Sequence, residues 1–144
     1  NPYSWIKAMH REPYYDHYPK IKDLSLENFI KFSIEDYENS IVMWNQKNDS
    51  YFRMSDEIPN SIIINIEDFH ADQQKFHTKI ANLLNIHDVP LIKMNDYVNG
   101  RGWHDKKDIA SSLQIPKLDK KVATIINSSL SEEMMKKCNY EILF

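Results

Sequence analysis

With 144 residues, 42% of them hydrophobic, the chain has material for one core and reads as one domain over residues 1–144. Its 18 Lys+Arg against 21 Asp+Glu leave a net charge of −3, which excludes the broadly basic surface of a nucleic-acid binder, and 12% aromatic residues exclude a disordered tail. A lone cysteine, Cys138, excludes an internal disulfide and a cysteine zinc site; the longest apolar run is too short for a transmembrane segment or a secretory leader, so a soluble, cytoplasmic protein is expected.

The chain begins at Asn1 rather than at a methionine, as a processed chain or a fragment would. Asn1 and Pro2 suit an N-cap and a first helical position, and Trp5, Ile6 and Met9 then share one face to about Arg11. Residues 12–23, with Pro13 and Pro19, read as an irregular surface segment. Ser25 caps a second helix whose inner face is Leu26, Phe29 and Ile30, ending near Phe32. Ile34, Tyr37, Ile41, Trp44 and Tyr51 keep helical spacing and predict a third helix over 34–52, loosened by the polar run at 45–49.

Pro59 and Asn60 break the chain, and residues 61–66 read as a core strand, because three consecutive isoleucines suit burial on both faces. No second strand of that quality occurs, so the partners of this one are expected to be missing. Asp72 caps a helix carrying Phe76, Ile80, Leu83 and Leu84, ending about Asn85. Residues 89–108 hold both glycines and read as loop. Two helices follow, over 118–130 and 131–138. Ser131 caps the second, Glu132 and Glu133 stand in its positive first turn, Asn139 takes the left-handed exit and Tyr140 folds back.

Chemistry is thinly written. His70 and His77 lie seven apart on one helix and thus on a common face, but no third ligand stands at zinc spacing, so no metal site is assigned. Glu67-Asp68 after the strand reads either as a carboxylate pair at a ligand crevice or as a partner for the next helix. In NGRGW, Gly100 and Gly102 let the backbone approach a bound group while Arg101 offers forked donors to phosphate or sulfate; the alternative is a plain tight turn. The lysine pairs at 106–107 and 136–137 and the run at 117–121 read as solvated faces. No GxxxxGK[ST] loop, Ser-His-Asp set or Cys-His pair is present, and the catalytic residues are unassigned.

The ordered set NPYSWIKAMHR, SLENF, WNQKNDSYF, SIIINIEDFHADQQKFHTKIANLLNI, NGRGW and SLSEEMMKKCNY resembles the C-terminal part of the sulfotransferase family. The resemblance implies an α/β, P-loop-like fold, present here as a mainly helical C-terminal portion with one core strand near 61–66. It implies transfer of a sulfuryl group from 3′-phosphoadenosine 5′-phosphosulfate, the donor substrate, to a hydroxyl of a carbohydrate or small molecule, without metal and without nucleic acid. The family's phosphate loop and catalytic base lie N-terminal to the matched region.

By the same resemblance, Arg101 with Gly100 and Gly102 stands where a late basic loop closes over the donor's 3′-phosphate, and Ser4 stands within phosphate reach or simply fills the third helical position. The chain departs from the pattern at three places: the arginine before Asn1 is absent, a serine is replaced by Ala8, and a tyrosine by Ile66. Those departures sustain an alternative, a non-catalytic helical interaction module derived from that fold, with a partner chain or a second copy covering the missing sheet. A further alternative is an unrelated helical domain with the strand in antiparallel company.

Overall fold

The computed structural model describes residues 1–11, 21, 23–86, 90 and 116–144. Among them the elements are α1 (Pro2–Arg11), α2 (Leu26–Ile30), α3 (Ser40–Glu57), α4 (Ile66–Ala71), α5 (Gln73–Leu83), α6 (Lys120–Ser129) and α7 (Glu132–Lys137). The chain divides into two compact units, one of Asn1–Asp49 with Ser112–Phe144, the other of Ser50–Ser111.

The first unit owes its helices to caps that the sequence spells out. Asn1 Oδ1 accepts from the Ser4 N–H at 2.9 Å, Ser25 Oγ from Asn28, Asp119 Oδ1 from Lys121 at 2.8 Å and Ser131 Oγ from Met134. At the far end of α7, Asn139 takes φ 57 and the Tyr140 N–H reaches back to the Met135 carbonyl at 2.8 Å. That is the αL exit expected of asparagine, and it lays Tyr140 against Trp44 with ring centroids 6.4 Å apart.

Inside this unit, Tyr3, Ile6, Met9, Phe29, Ile30, Ile34, Ile41, Met43, Trp44, Ile126 and Met135 are buried together with Cys138. Two polar side chains lock the arrangement. Asn45 donates from Nδ2 to the Ser129 carbonyl at 2.7 Å and accepts the Ser131 N–H at 3.1 Å, so one amide serves both the end of α6 and the start of α7. The Tyr3 hydroxyl donates to Asn127 Oδ1 at 2.7 Å and accepts the Leu143 N–H at 2.9 Å, while Asn127 Nδ2 donates to the Leu143 carbonyl.

The expected third helix starts six residues late. Ile34 and Tyr37 instead exchange backbone hydrogen bonds across a tight turn with Glu35 at φ 50, and Asn39 Oδ1 then accepts the N–H groups of Ile41 and Val42. A local asparagine cap outweighs apolar spacing, because it satisfies two donors that a helix running through them would leave to its own carbonyls. The polar run at 45–49 does not loosen α3, which continues to Glu57 until Pro59 and the left-handed Asn60 at φ 60 stop it.

In the second unit, the core strand and the α/β fold built on it are corrected. Residues 61–65 contain no helix, turn or bend, and Ile66 already opens α4. No strand or sheet occurs among the described residues; one isolated bridge joins Ile34 and Tyr37. The apolar run promised burial on two faces, yet Ile62 and Ile63 are each 37% exposed. Hydrophobicity alone cannot make a strand: a ladder needs neighbouring backbone to pair with, and none pairs with this segment among the described residues.

The cap at Asp72 holds, with Oδ1 accepting from Lys75 at 3.0 Å, and α5 ends before Asn85 at φ 52. The rings of Phe69 of α4 and Phe76 of α5 meet at a tilt with centroids 6.1 Å apart, and Phe76 is the one large apolar side chain of this unit that is buried among the described residues.

Candidate functional site

Of the residues that the sequence nominates for the sulfate donor, Arg101, Gly100 and Gly102 lie outside the described residues. Ser4 sits in the first turn of α1, half-buried, with its N–H on Asn1. Its neighbour Tyr3 points into the core and carries the most organised polar cluster of that unit. Burial pushes the Tyr3 phenol above its ordinary value, opposed by the Leu143 N–H that would favour the phenolate. A buried, fully engaged hydroxyl is a fastening. It has no vacant direction from which a substrate could be reached.

Glu67 and Asp68 do not flank a crevice at a strand end. They occupy the first turn of α4, where carboxylates complement the exposed N–H groups of a helix start. His70 stands in the last turn of α4 and His77 lies within α5, so the common helical face expected of them is broken by Asp72 between them. No cluster of three or more metal-ligating side chains occurs among the described residues. Nor is any helix there long and apolar enough to cross a membrane.

Glu27 meets two lysines in the first unit. Its Oε2 meets Lys121 Nζ at 2.9 Å and its Oε1 meets Lys31 Nζ at 3.3 Å, holding its carboxyl below the usual range, Lys121 first. This ties α2 to α6. With both carboxylate oxygens occupied by lysines, its chemistry is structural.

What the sequence reading missed is a groove in the second unit. Tyr51, Met54 and Ile58 recur at i, i+3 and i+7 along the C-terminal half of α3 and its exit, and they are 52%, 51% and 48% exposed. With Ile62 and Ile63 from the returning segment they line a cavity of about 290 Å³. Its floor is stitched by two serines: Ser61 Oγ donates to the Ser55 carbonyl at 2.8 Å and lies 3.0 Å from Ser55 Oγ. The signal was in the text, since 51, 54 and 58 keep helical spacing once the helix is carried past 52.

The groove is small, apolar and without cationic lining, so it suits side chains of another polypeptide better than a doubly phosphorylated nucleotide, which needs convergent N–H or guanidinium donors. Set beside known proteins, the chain matches no protein-family model, no curated protein and no solved structure.

Proposed function

We infer that the chain belongs to a sulfotransferase-like protein, which binds 3′-phosphoadenosine 5′-phosphosulfate and transfers its sulfuryl group to a hydroxyl of a carbohydrate or small molecule. The observation that supports this reading is that the chain on either side of its last motif folds back on its first. Tyr3 of NPYSW and the residues that frame SLSEEMMKKCNY, namely Asn127 before it and Leu143 after it, meet in one hydrogen-bonded cluster over one core. A common order of short motifs gains weight where the first and the last share one buried core, as Tyr3 and Met135 do.

On this reading Arg101 contributes the forked donors that a 3′-phosphate needs, with Gly100 and Gly102 allowing the backbone to come near. Isothermal calorimetry with adenosine 3′,5′-bisphosphate tests it. Saturable heat that disappears in Arg101→Ala is expected, and no heat with the unmodified chain at millimolar nucleotide refutes donor binding by these residues.

A second reading, a helical interaction module without catalysis, is favoured by the second unit. There Tyr51, Met54, Ile58, Ile66 and Leu84 all stand about half exposed, a density of apolar surface that interaction sites carry.

A further inference from the structure

We propose that the groove between the C-terminal half of α3 and residues 61–65 docks a strand of another polypeptide, apolar at alternate positions and carrying lysine or arginine at its two ends. The proposal deepens the interaction reading, on which it rests, and commits to the chemistry of the partner. Three observations converge on it.

Backbone comes first. Residues 61–65 run without helix, turn or bend to Asn65 at φ −75, ψ 134, and among the described residues no hydrogen bond engages the main chain of Ile62, Ile63 or Ile64. A run of free N–H and C=O groups on a straight segment is the template that an added strand completes. The second observation is the groove itself: its 290 Å³ lies beside that backbone, so alternate side chains of an added strand would fall against Tyr51, Met54 and Ile58. The serine pair Ser55–Ser61 holds the two walls together without a partner present.

The third is charge, and it selects the occupant. Carboxylates bracket the open segment at both ends: Asp56 and Glu57 precede it and Asp68 follows it. A second copy of this chain, paired in either direction, would set acidic ends against acidic ends, and like charges across a strand pair are repulsive. A strand with cationic ends meets opposite charge at each end in either direction. The same carboxylates disfavour a phosphorylated or otherwise anionic partner.

Two peptides test this by fluorescence anisotropy against the whole chain. Both alternate valine and threonine; one ends in paired lysines, the other in paired glutamates. The lysine-ended peptide is expected to bind about tenfold or more tighter, and added salt is expected to shrink the difference. Asp56→Lys with Glu57→Lys is expected to abolish the preference, and Ile63→Asp to weaken the lysine-ended peptide while leaving the helical circular-dichroism signal unchanged.

Equal binding of the two peptides, or tighter binding of the glutamate-ended one, overturns the assigned partner and leaves the interaction reading standing. A doubled mass by light scattering, lost in Ile63→Asp, gives the groove to a second copy and also overturns it. If neither peptide binds and an apolar dye is not taken up, the assigned partner and the interaction reading fall together.

Discussion

The two units bury their apolar residues unequally among the described residues. In the unit of Asn1–Asp49 with Ser112–Phe144, side chains from five helices meet in one core, and the capping residues Asn1, Ser25, Asn39, Asp119 and Ser131 each satisfy helix-start donors locally. In the unit of Ser50–Ser111, only Phe76 is buried among the described residues, and isoleucines, a tyrosine and a methionine face solvent. Both regions have comparable apolar content in the text. The difference teaches that hydrophobic residues stabilise only where enough elements return to cover them; capped helices without cover keep their shape locally and bury little.

The sharpest way to break this contrast is to truncate one side chain in each unit. Phe29→Ala, at a position with no exposure, is expected to cost about 3–5 kcal/mol, whereas Ile62→Ala costs about 0.5–1 kcal/mol because most of its transfer energy was never gained. Urea unfolding followed by circular dichroism measures both; equal losses would dissolve the distinction between the units. Hydrogen exchange on the same variants sharpens it, with amides of α5 opening at lower free energy than those of α1 and α6.

Next in size is Tyr3→Phe, which leaves the Leu143 N–H and the Asn127 carboxamide oxygen without their partner and is expected to cost about 1–2 kcal/mol. It also carries a pH signature. Burial raises the Tyr3 phenol, so the folded state holds that proton longer than the unfolded chain does. The stability it contributes is fully present below the ordinary phenol value of about 10 and is lost as pH rises through its higher folded value. The difference in stability between the native chain and Tyr3→Phe should therefore shrink on the alkaline side, and a difference constant to the highest pH at which both fold contradicts the burial described for Tyr3.

The smallest effect belongs to Glu27→Gln. Lys121 and Lys31 depress the Glu27 carboxyl, so its contribution is present above the ordinary carboxylate range and fades as pH falls through its lowered folded value. Acid unfolding of Glu27→Gln should show a shallower loss than the native chain at low salt and the same loss at high salt, since partly exposed pairs are screened. An acid limb unchanged at low salt would remove Glu27 from the forces joining α2 to α6.

Much of the first unit was legible, and so was one cap of the second. Asn1, Ser25, Asp72 and Ser131 were readable as caps because their effect is local, a side-chain oxygen and an N–H two or three residues on, and Asn139 was readable as an exit because asparagine tolerates a left-handed backbone. Asn39 was as readable in principle, but the periodic Ile34, Tyr37 and Ile41 drew the helix across it. Residues 61–66 failed for a different reason. A run of isoleucines reports the wish to be covered, and whether cover arrives depends on backbone elsewhere, which no local pattern encodes. The groove went unseen because the helix was ended at 52, which cut its stripe after Tyr51. Of the donor-site residues, Ser4 proved to be a capped first-turn position, and Gly100, Arg101 and Gly102 lie outside the described residues.

The Tyr3 hydroxyl, by accepting the N–H of Leu143, joins residues 140 apart in the chain. A core fastened by pieces so far apart cannot close until Leu143 has been made, because the Leu143 N–H is one of its fastening donors. Tyr51, Met54 and Ile58 are made before Leu143, so their exposed stripe is present before that core has closed, when a strand bound in the groove would shield it from aggregation as well as recognise it.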